Sequence, residues 1–346
     1  MEMMKKHIAT IALVAASTAL FAGNPVRSGS AGASELLINP WARTAGWSEG
    51  NPANVMGLEA MYGNIAGMAF TTGLQTGFAN SQWLVGSGIQ LNSASFATPS
   101  GNEGVLGIHV TNMNYGQIEV TTTELPDGGA GYFSPTSTII GIAYAKKFTQ
   151  SIYGGVNIKL YNSSISNLTA TGVCFDAGVQ YVTGAERDFR FGITLRNIGP
   201  SFGYNGDGMA IVLPVPTGSH TTTFDSRTEQ FELPTQLAIG VAKRFDLDAK
   251  NRLNVAGNFI SNSFKKDQFT AGVEFDHNDI FQVRASYALF DNRYDGIATE
   301  AFAGPAMGFT VNAPTGGTSK LSLNYAYRLT NSAFAGVHTL GATLVL

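Results

Sequence analysis

The sequence predicts an all-β fold, a transmembrane outer-membrane β-barrel of about fourteen antiparallel strands with an N-terminal hatch segment. Apolar residues alternate with polar ones over most of the chain after residue 67, and a period of two places successive side chains on opposite faces of a sheet. Charged residues make up only 13% of the chain, whereas 41 of its 346 residues are glycine. This composition is typical of a barrel with one face in lipid, because a soluble β-sandwich carries more charge.

The first element is a predicted signal peptide, residues 1–33. Lys5 and Lys6 precede an apolar run from Ile8 to Ala22, and Ala31-Gly32-Ala33 offers small residues for cleavage. The apolar run is shorter than the ~20 residues that a membrane-spanning helix needs. We therefore expect export, with cleavage after Ala33.

Residues 34–66 are the predicted hatch. They are rich in glycine, asparagine and alanine, contain Trp41 and Trp47, and show little alternation. Such a segment before the first strand can plug the barrel lumen. A disordered leader is the alternative, and the apolar residues Leu36 to Ile38 argue against it.

Residues 67–346 are the predicted barrel, divided into fourteen alternating segments. These segments are 69–79, 83–97, 103–123, 137–147, 151–162, 168–183, 187–199, 235–245, 251–262, 267–275, 280–290, 302–312, 318–329 and 335–346. An even number of strands is the rule for bacterial single-chain barrels.

Segment 302–312 has the least regular alternation, because Gly304 and Pro305 interrupt it. Counting it as a strand is supported by the side of the membrane on which each connection then falls. With it, the short connections fall on the periplasmic side, where the last strand ends. The long connections 124–136, 200–234 and 291–301 then lie outside, as is usual for such barrels. Segment 103–123 is too long for one crossing, and we expect its end, from Tyr115, to rise above the membrane.

The last strand carries a targeting pattern at Gly341, Leu344 and Leu346. Leu340 and Ala342 share a face with Leu344 and Leu346. The pattern resembles the C-terminal targeting strand of bacterial outer-membrane barrels, although those usually end in Phe. The last strand of a soluble β protein is the alternative reading of this segment alone.

Catalytic, cofactor and metal sites are not predicted. The histidines are isolated in sequence, Cys174 is the only cysteine, and no phosphate loop or His-Glu-x-x-His motif occurs. The net charge of −3 provides no basic surface for nucleic acid. We therefore expect a non-enzymatic protein whose surroundings are outer-membrane lipid.

The long connection 200–234 contains an apolar stretch that includes Met209, Ile211, Leu213 and Val215. An exposed apolar segment often marks a contact site for a partner. The stretch could equally fold inward and cap the lumen, and the sequence leaves both readings open.

Several motifs resemble one known family. Ala60-Met61-Tyr62-Gly63-Asn64-Ile65-Ala66-Gly67 resembles the Ala-x-Tyr-x-Asn-Pro-Ala-Gly hatch motif of the PorV/PorQ family of Bacteroidota outer-membrane proteins, with Ile65 in place of Pro. Glu59, Tyr62, Asn64 and Gly67 are its candidate hatch residues. Further matching segments are 143–147, 172–178, 191–200 and 324–328.

The resemblance implies an accessory of type IX protein secretion in a Gram-negative outer membrane. Its partners would be a large translocon barrel and the C-terminal domains of secreted cargo, bound through the extracellular loops. The family is similar to FadL-type fatty-acid transporters, so the alternative is a transporter of hydrophobic small molecules with a ligand in the lumen. That alternative needs a strand kink, for which Gly86 and Gly88 or Gly154 and Gly155 are candidates. A simple porin is the third reading, and residues 34–66 would block it.

Overall fold

A computed structural model describes residues 27, 29–214, 220–226, 228–290, 293–294, 297–298, 301–317, 319–331 and 334–346. Within them, one closed antiparallel barrel is formed by β1 Gln75–Trp83, β2 Ile89–Ser100, β3 Gly104–Asn114, β4 Thr136–Lys147, β5 Ile152–Ile165, β6 Leu168–Thr183, β7 Phe189–Ile198, β8 Gln236–Asp246, β9 Asn251–Asn262, β10 Gln268–His277, β11 Phe281–Phe290, β12 Phe302–Gly316, β13 Ser319–Thr330 and β14 Val337–Val345.

The barrel closes where β14 pairs with β1. Gln75 lies opposite Val345, and Gln82 lies opposite His338. The predicted fold class, with fourteen antiparallel strands, is therefore confirmed. The helices that the structure describes are all too short or too polar to cross a membrane.

Alternation along the strands produces an apolar outer surface. On β6, Val173 and Phe175 are exposed on the outside, whereas Cys174 and Asp176 are buried toward the lumen. Outward-facing aliphatic and aromatic side chains continue around the wall, as lipid contact requires. The lumen face carries polar side chains, such as Gln180 and Asn258, that hydrogen-bond the backbone of the hatch.

Several predicted boundaries of the first three strands were wrong, since the first two run over Gln75–Trp83 and Ile89–Ser100 instead of 69–79 and 83–97. The first strand begins at Gln75 instead of residue 69, because the 3-10 helix Ile65–Phe70 keeps the chain inside the lumen. The third strand ends at Asn114, and a short hairpin of Ile118–Glu119 with Tyr132–Phe133 follows it. The residues from Tyr115 onward thus leave the barrel wall, as the sequence predicted.

The N-terminal segment runs down the inside of the barrel. Its short helices are Ser34–Leu37, Ala42–Ala45, Gly57–Met61 and Ile65–Phe70. The boundary of the hatch and the cleavage after Ala33 stay predictions, since residues 1–26 and 28 lie outside the described part of the chain.

The outer mouth of the lumen is closed by an apolar cluster. Leu36 from the hatch packs with Tyr161, Phe202 and Leu233. Phe202 and Leu233 belong to the two ends of the long outer connection 200–234. The middle of this connection forms a hairpin of Ala210–Pro214 with Thr221–Asp225. The cap and the hairpin are therefore different parts of one loop.

Candidate functional site

Asn64 joins the hatch to two wall strands. Its amide nitrogen donates to the carbonyl oxygens of Pro52 at 2.8 Å, Val179 at 3.0 Å and Ile193 at 3.3 Å. Its side-chain oxygen accepts from the backbone N–H of Ala66 at 3.2 Å and caps the last 3-10 helix. The side chain is fully buried, so one residue holds the hatch against β6 and β7.

Glu59 and Tyr62 are also hydrogen-bonded inside the lumen. The Glu59 carboxylate accepts from the backbone N–H and the hydroxyl of Thr44, at 3.0 and 2.8 Å. The Tyr62 hydroxyl lies 2.7 Å from the Ser93 hydroxyl and 2.8 Å from that of Thr111. Burial raises the pKa of both Glu59 and Tyr62 above their ordinary values.

Gly67 is a point of close backbone approach. A Cβ on this residue would lie 2.0 Å from the carbonyl oxygen of Val55. No side-chain rotation relieves a contact with backbone, so only glycine fits. The structure therefore brings all four candidate hatch residues into the packed interior.

Ion pairs join the hatch to the far wall. Arg43 contacts Glu274 at 3.0 Å, and Arg284 contacts the same carboxylate at 2.9 Å. The Glu274 carboxylate also raises the pKa of Arg43 above its ordinary value. Glu49 and Arg328 form a second pair. Each of these buried or partly buried charges therefore lies against one of opposite sign, which offsets the cost of burying it.

An outer pocket lies between the hatch and the wall at the extracellular end. It has a volume of about 400 Å³, within the range of about 300–1,000 Å³ common for small-molecule sites. Its apolar lining consists of Leu37, Ile38, Trp83, Ile89, Met113, Ala288 and Phe302. The rings of Trp83 and Phe302 meet edge to face with centroids 5.5 Å apart.

Four charged residues line the outer pocket, namely Glu35, Glu49, Lys265 and Arg328. Arg328 binds Glu49 and lies 3.6 Å above the Phe302 ring. The Glu35 carboxylate accepts hydrogen bonds from the Tyr115 and Tyr161 hydroxyls. Burial, with Glu35 nearby, raises the pKa of Tyr115 above its ordinary value, which keeps this hydroxyl protonated as a donor.

The pairing of β12 with β13 contains a bulge next to Phe302, which lines this pocket. Phe302 pairs with Thr330 and Ala306 with Arg328, while residues 303–305 have no partner on β13 among the described residues. On the other side, the pairing with β11 ends at Pro305. The predicted kink positions were wrong: Gly86 and Gly88 lie in a turn, and Gly154 and Gly155 pair regularly with both neighbours.

The lumen below the outer pocket is narrow and polar. Two small cavities of about 10 and 20 Å³ follow along the hatch segment Thr44–Met56. Each is about the size of one water molecule. Below them, an inner cavity of about 400 Å³ opens at the periplasmic end, and its lining is mainly polar and charged.

Two of the four candidate contact residues of the long outer connection, Ile211 and Leu213, lie on the exposed hairpin. Met209 precedes it, and the side chains of Ile211 and Leu213 are about half exposed. Ile211 lies opposite Phe224, which is also exposed. Val215 lies outside the described residues. The hairpin therefore presents an apolar face to the surroundings, and the lumen cap is formed by Phe202 and Leu233 instead.

The targeting-strand residues lie at the barrel seam. Gly341 pairs with Ala79, and Leu344 pairs with Thr76. Leu346 follows the end of β14 and donates its backbone N–H to the Leu74 carbonyl at 2.8 Å. The residues of this strand therefore close the barrel wall against β1. Their role as a targeting signal stays a prediction.

No group of His, Cys, Asp and Glu side chains within the described ranges could hold a metal ion. Cys174 is buried in the lumen wall. The contact between Trp83 and Phe302 and the wall partners of the hatch were not predicted, since the residues that meet in them lie far apart along the chain. Only the interruption at Gly304 and Pro305 marked the region of the outer pocket.

Comparison with known proteins supports the fold. No family model matches the chain, and no curated protein matches it. Among solved structures, it is similar to the toluene transporter TodX of P. putida, with 12% identity, a TM-score of 0.55, and coverage of 89% of this chain and 97% of that one.

Two further solved structures are similar to the chain over most of its length. The toluene transporter TbuX of Ralstonia pickettii has 10% identity, a TM-score of 0.53 and coverage of 89% and 97%. The monoaromatic hydrocarbon channel CymD has 10% identity, a TM-score of 0.52 and coverage of 89% and 96%. The chain therefore has the fold of the FadL-like outer-membrane β-barrels.

Proposed function

We propose that this protein is an outer-membrane conduit for small hydrophobic molecules, with the outer pocket as its ligand site. The observation that carries the proposal is the apolar outer pocket, where Trp83 and Phe302 present their rings beside a plugged lumen. Fold-level similarity to hydrocarbon and toluene transporters supports the same class of ligand.

The pocket favours an uncharged, ring-shaped ligand. Arg328 and Glu49 pair with each other, and the Glu35 carboxylate accepts hydrogen bonds from two tyrosine hydroxyls, so these three groups are already bound by protein groups. Aromatic rings prefer edge-to-face or offset contact, worth about 0.5–1.5 kcal/mol per pair. A monoaromatic hydrocarbon can make such contacts with both Trp83 and Phe302.

Such a ligand leaves the pocket through the wall and not through the hatch. The cavities along the hatch hold about one water each, and the inner cavity below them is polar. Moving an apolar molecule into that cavity recovers little hydrophobic free energy. Residues 303–305 of β12, which have no described partner on β13, directly follow Phe302, which lines the pocket.

Uptake of toluene tests the conduit. The full chain is expressed in a Gram-negative host without a barrel of this fold, and radiolabelled toluene uptake is compared with that of the empty host. We expect faster uptake, and a loss of at least half of the gain in Trp83→Ala with Phe302→Ala.

Phe78→Ala is the matched control, because Phe78 lies on the lipid side of β1, the strand that carries Trp83. It should leave uptake unchanged. Toluene uptake no faster than that of the empty host, with the wild-type protein present in the outer membrane, would contradict the conduit.

The secretion accessory is the second candidate, and one observation favours it. The hairpin Ala210–Pro214 with Thr221–Asp225 exposes Ile211, Leu213 and Phe224, an apolar surface of the kind that partner proteins cover. The resemblance to the PorV/PorQ family would make the partner a translocon barrel or a cargo domain, in a Bacteroidota outer membrane.

Affinity purification from native outer membranes tests this candidate. A translocon barrel should copurify with wild-type protein and be lost when Ile211 and Leu213 are both replaced by Asp. Replacing Thr221 and Thr223 by Asp on the facing strand is the matched control for added charge. An unchanged set of copurifying proteins would exclude the hairpin as the contact.

A further inference from the structure

The inner cavity contains an arginine that lacks a carboxylate partner. This arginine is Arg190, on β7 at the periplasmic end of the lumen. Five basic and three acidic side chains line the cavity, namely Arg43, Arg190, Arg244, Arg252 and Lys320 against Glu59, Asp276 and Asp279. Glu274 and Asp246, which pair with Arg43 and Arg244 from outside the lining, balance much of this positive charge.

The other four basic groups have ion-pair partners. These pairs are Arg43 with Glu274 at 3.0 Å, Arg244 with Asp246 at 3.0 Å, Arg252 with Asp276 and Asp279 at 3.5 Å each, and Lys320 with Asp279 at 3.3 Å. Arg190 has no carboxylate within ion-pair distance among the described residues.

The contacts that Arg190 does make are weak ones. One guanidinium nitrogen lies 3.0 Å from the Met56 sulfur, and thioether sulfur is a poor acceptor. The guanidinium also lies 5.3 Å above the centre of the Phe70 ring. Most of its five N–H donors are therefore free for a ligand in the cavity.

The charges that act most strongly on Arg190 have the same sign. They belong to Arg244, Arg187 and Arg43. A half-buried guanidinium without a carboxylate partner is stabilised when an anion joins it. The unpaired Arg190 guanidinium therefore makes its own side of the cavity locally positive, which attracts anions.

We propose that the inner cavity binds a small oxyanion, either phosphate or a carboxylate, and that Arg190 is its principal ligand. The planar guanidinium can donate two parallel hydrogen bonds to either group. The side-chain amides of Asn54 and Gln75 also line the cavity and can supply further donors. This site lies at the opposite end of the lumen from the outer pocket and does not depend on the proposed conduit.

Calorimetric titration of the purified full-length protein in non-ionic detergent at low salt tests the site. Inorganic phosphate and succinate are the probes, in separate titrations. We expect saturable binding of at least one of them, weakened by about tenfold or more in Arg190→Gln, because hydrogen bonds to charged groups contribute strongly to affinity. Arg190→Lys should keep measurable binding, since it retains the charge.

Binding of phosphate alone would identify an inorganic anion as the ligand, and binding of succinate alone would identify an organic acid. Lys243→Gln is the matched control, as Lys243 lies at the same end of the barrel but is exposed on its outer face. It should bind like wild type. Absence of saturable binding, or wild-type affinity in a folded Arg190→Gln barrel, would overturn the proposal. Folding is checked by migration in unheated gels.

Discussion

Replacing Asn64 by Ala should loosen the hatch. The substitution removes three hydrogen bonds to backbone carbonyls and leaves the buried N–H of Ala66 without a partner. The Pro52 carbonyl keeps a bond from Gln180 at 2.9 Å, so the main penalty is the orphaned N–H, about 1–3 kcal/mol. With the lost bonds included, we expect hatch docking to weaken by about 2–4 kcal/mol.

Single-channel recording in planar bilayers measures this effect. A docking loss of about 2–4 kcal/mol raises the open-to-closed ratio by about 30-fold or more. Wild-type barrels should stay closed, and Asn64→Ala should open frequently. Asn112→Ala is the matched control, because the Asn112 side chain donates to Thr138 on the wall and to no hatch residue within the described part of the chain. If both variants conduct like wild type while remaining folded, Asn64 does not hold the hatch.

Three other substitutions have defined outcomes. Gly67→Ala should lower the denaturant midpoint of the barrel, since the new Cβ meets the Val55 carbonyl at 2.0 Å, whereas Gly257→Ala has open space around it and should fold like wild type. Arg284→Leu should destabilise the barrel by about 3–5 kcal/mol in equilibrium unfolding, because it removes one partner of the fully buried Glu274; a loss below 1 kcal/mol would contradict this. A disulfide between Ser48→Cys and Ser286→Cys, whose hydroxyls are 2.8 Å apart, should leave toluene uptake unchanged; a reversible loss on oxidation would place the route through the hatch.

The strands were predictable because each one carries its own signal. Alternation along β6 or β11 depends only on neighbouring residues, one face toward lipid and the other toward the lumen. The need for an even number of strands then supported β12 as a strand, although Gly304 and Pro305 interrupt its alternation. The start of β1 was missed, because Ile65–Phe70 is apolar enough to resemble a strand while it packs as a 3-10 helix inside the barrel.

The site was less predictable because its contacts join residues that are far apart in sequence. Arg43 and Glu274 are 231 residues apart, and Glu49 and Arg328 are 279 apart. Trp83 and Phe302 meet only because β14 closes against β1. The hatch residues Glu59, Tyr62, Asn64 and Gly67 were found through a motif resemblance, and their partners required the three-dimensional structure.

The most direct test of the outer pocket is to locate a ligand in it. Crystals of the protein are soaked with bromobenzene, and anomalous diffraction is recorded at the bromine absorption edge. We predict a bromine peak in the outer pocket, beside the rings of Trp83 and Phe302. Bromine found only on the lipid-facing wall or in the inner cavity would contradict the pocket as the ligand site.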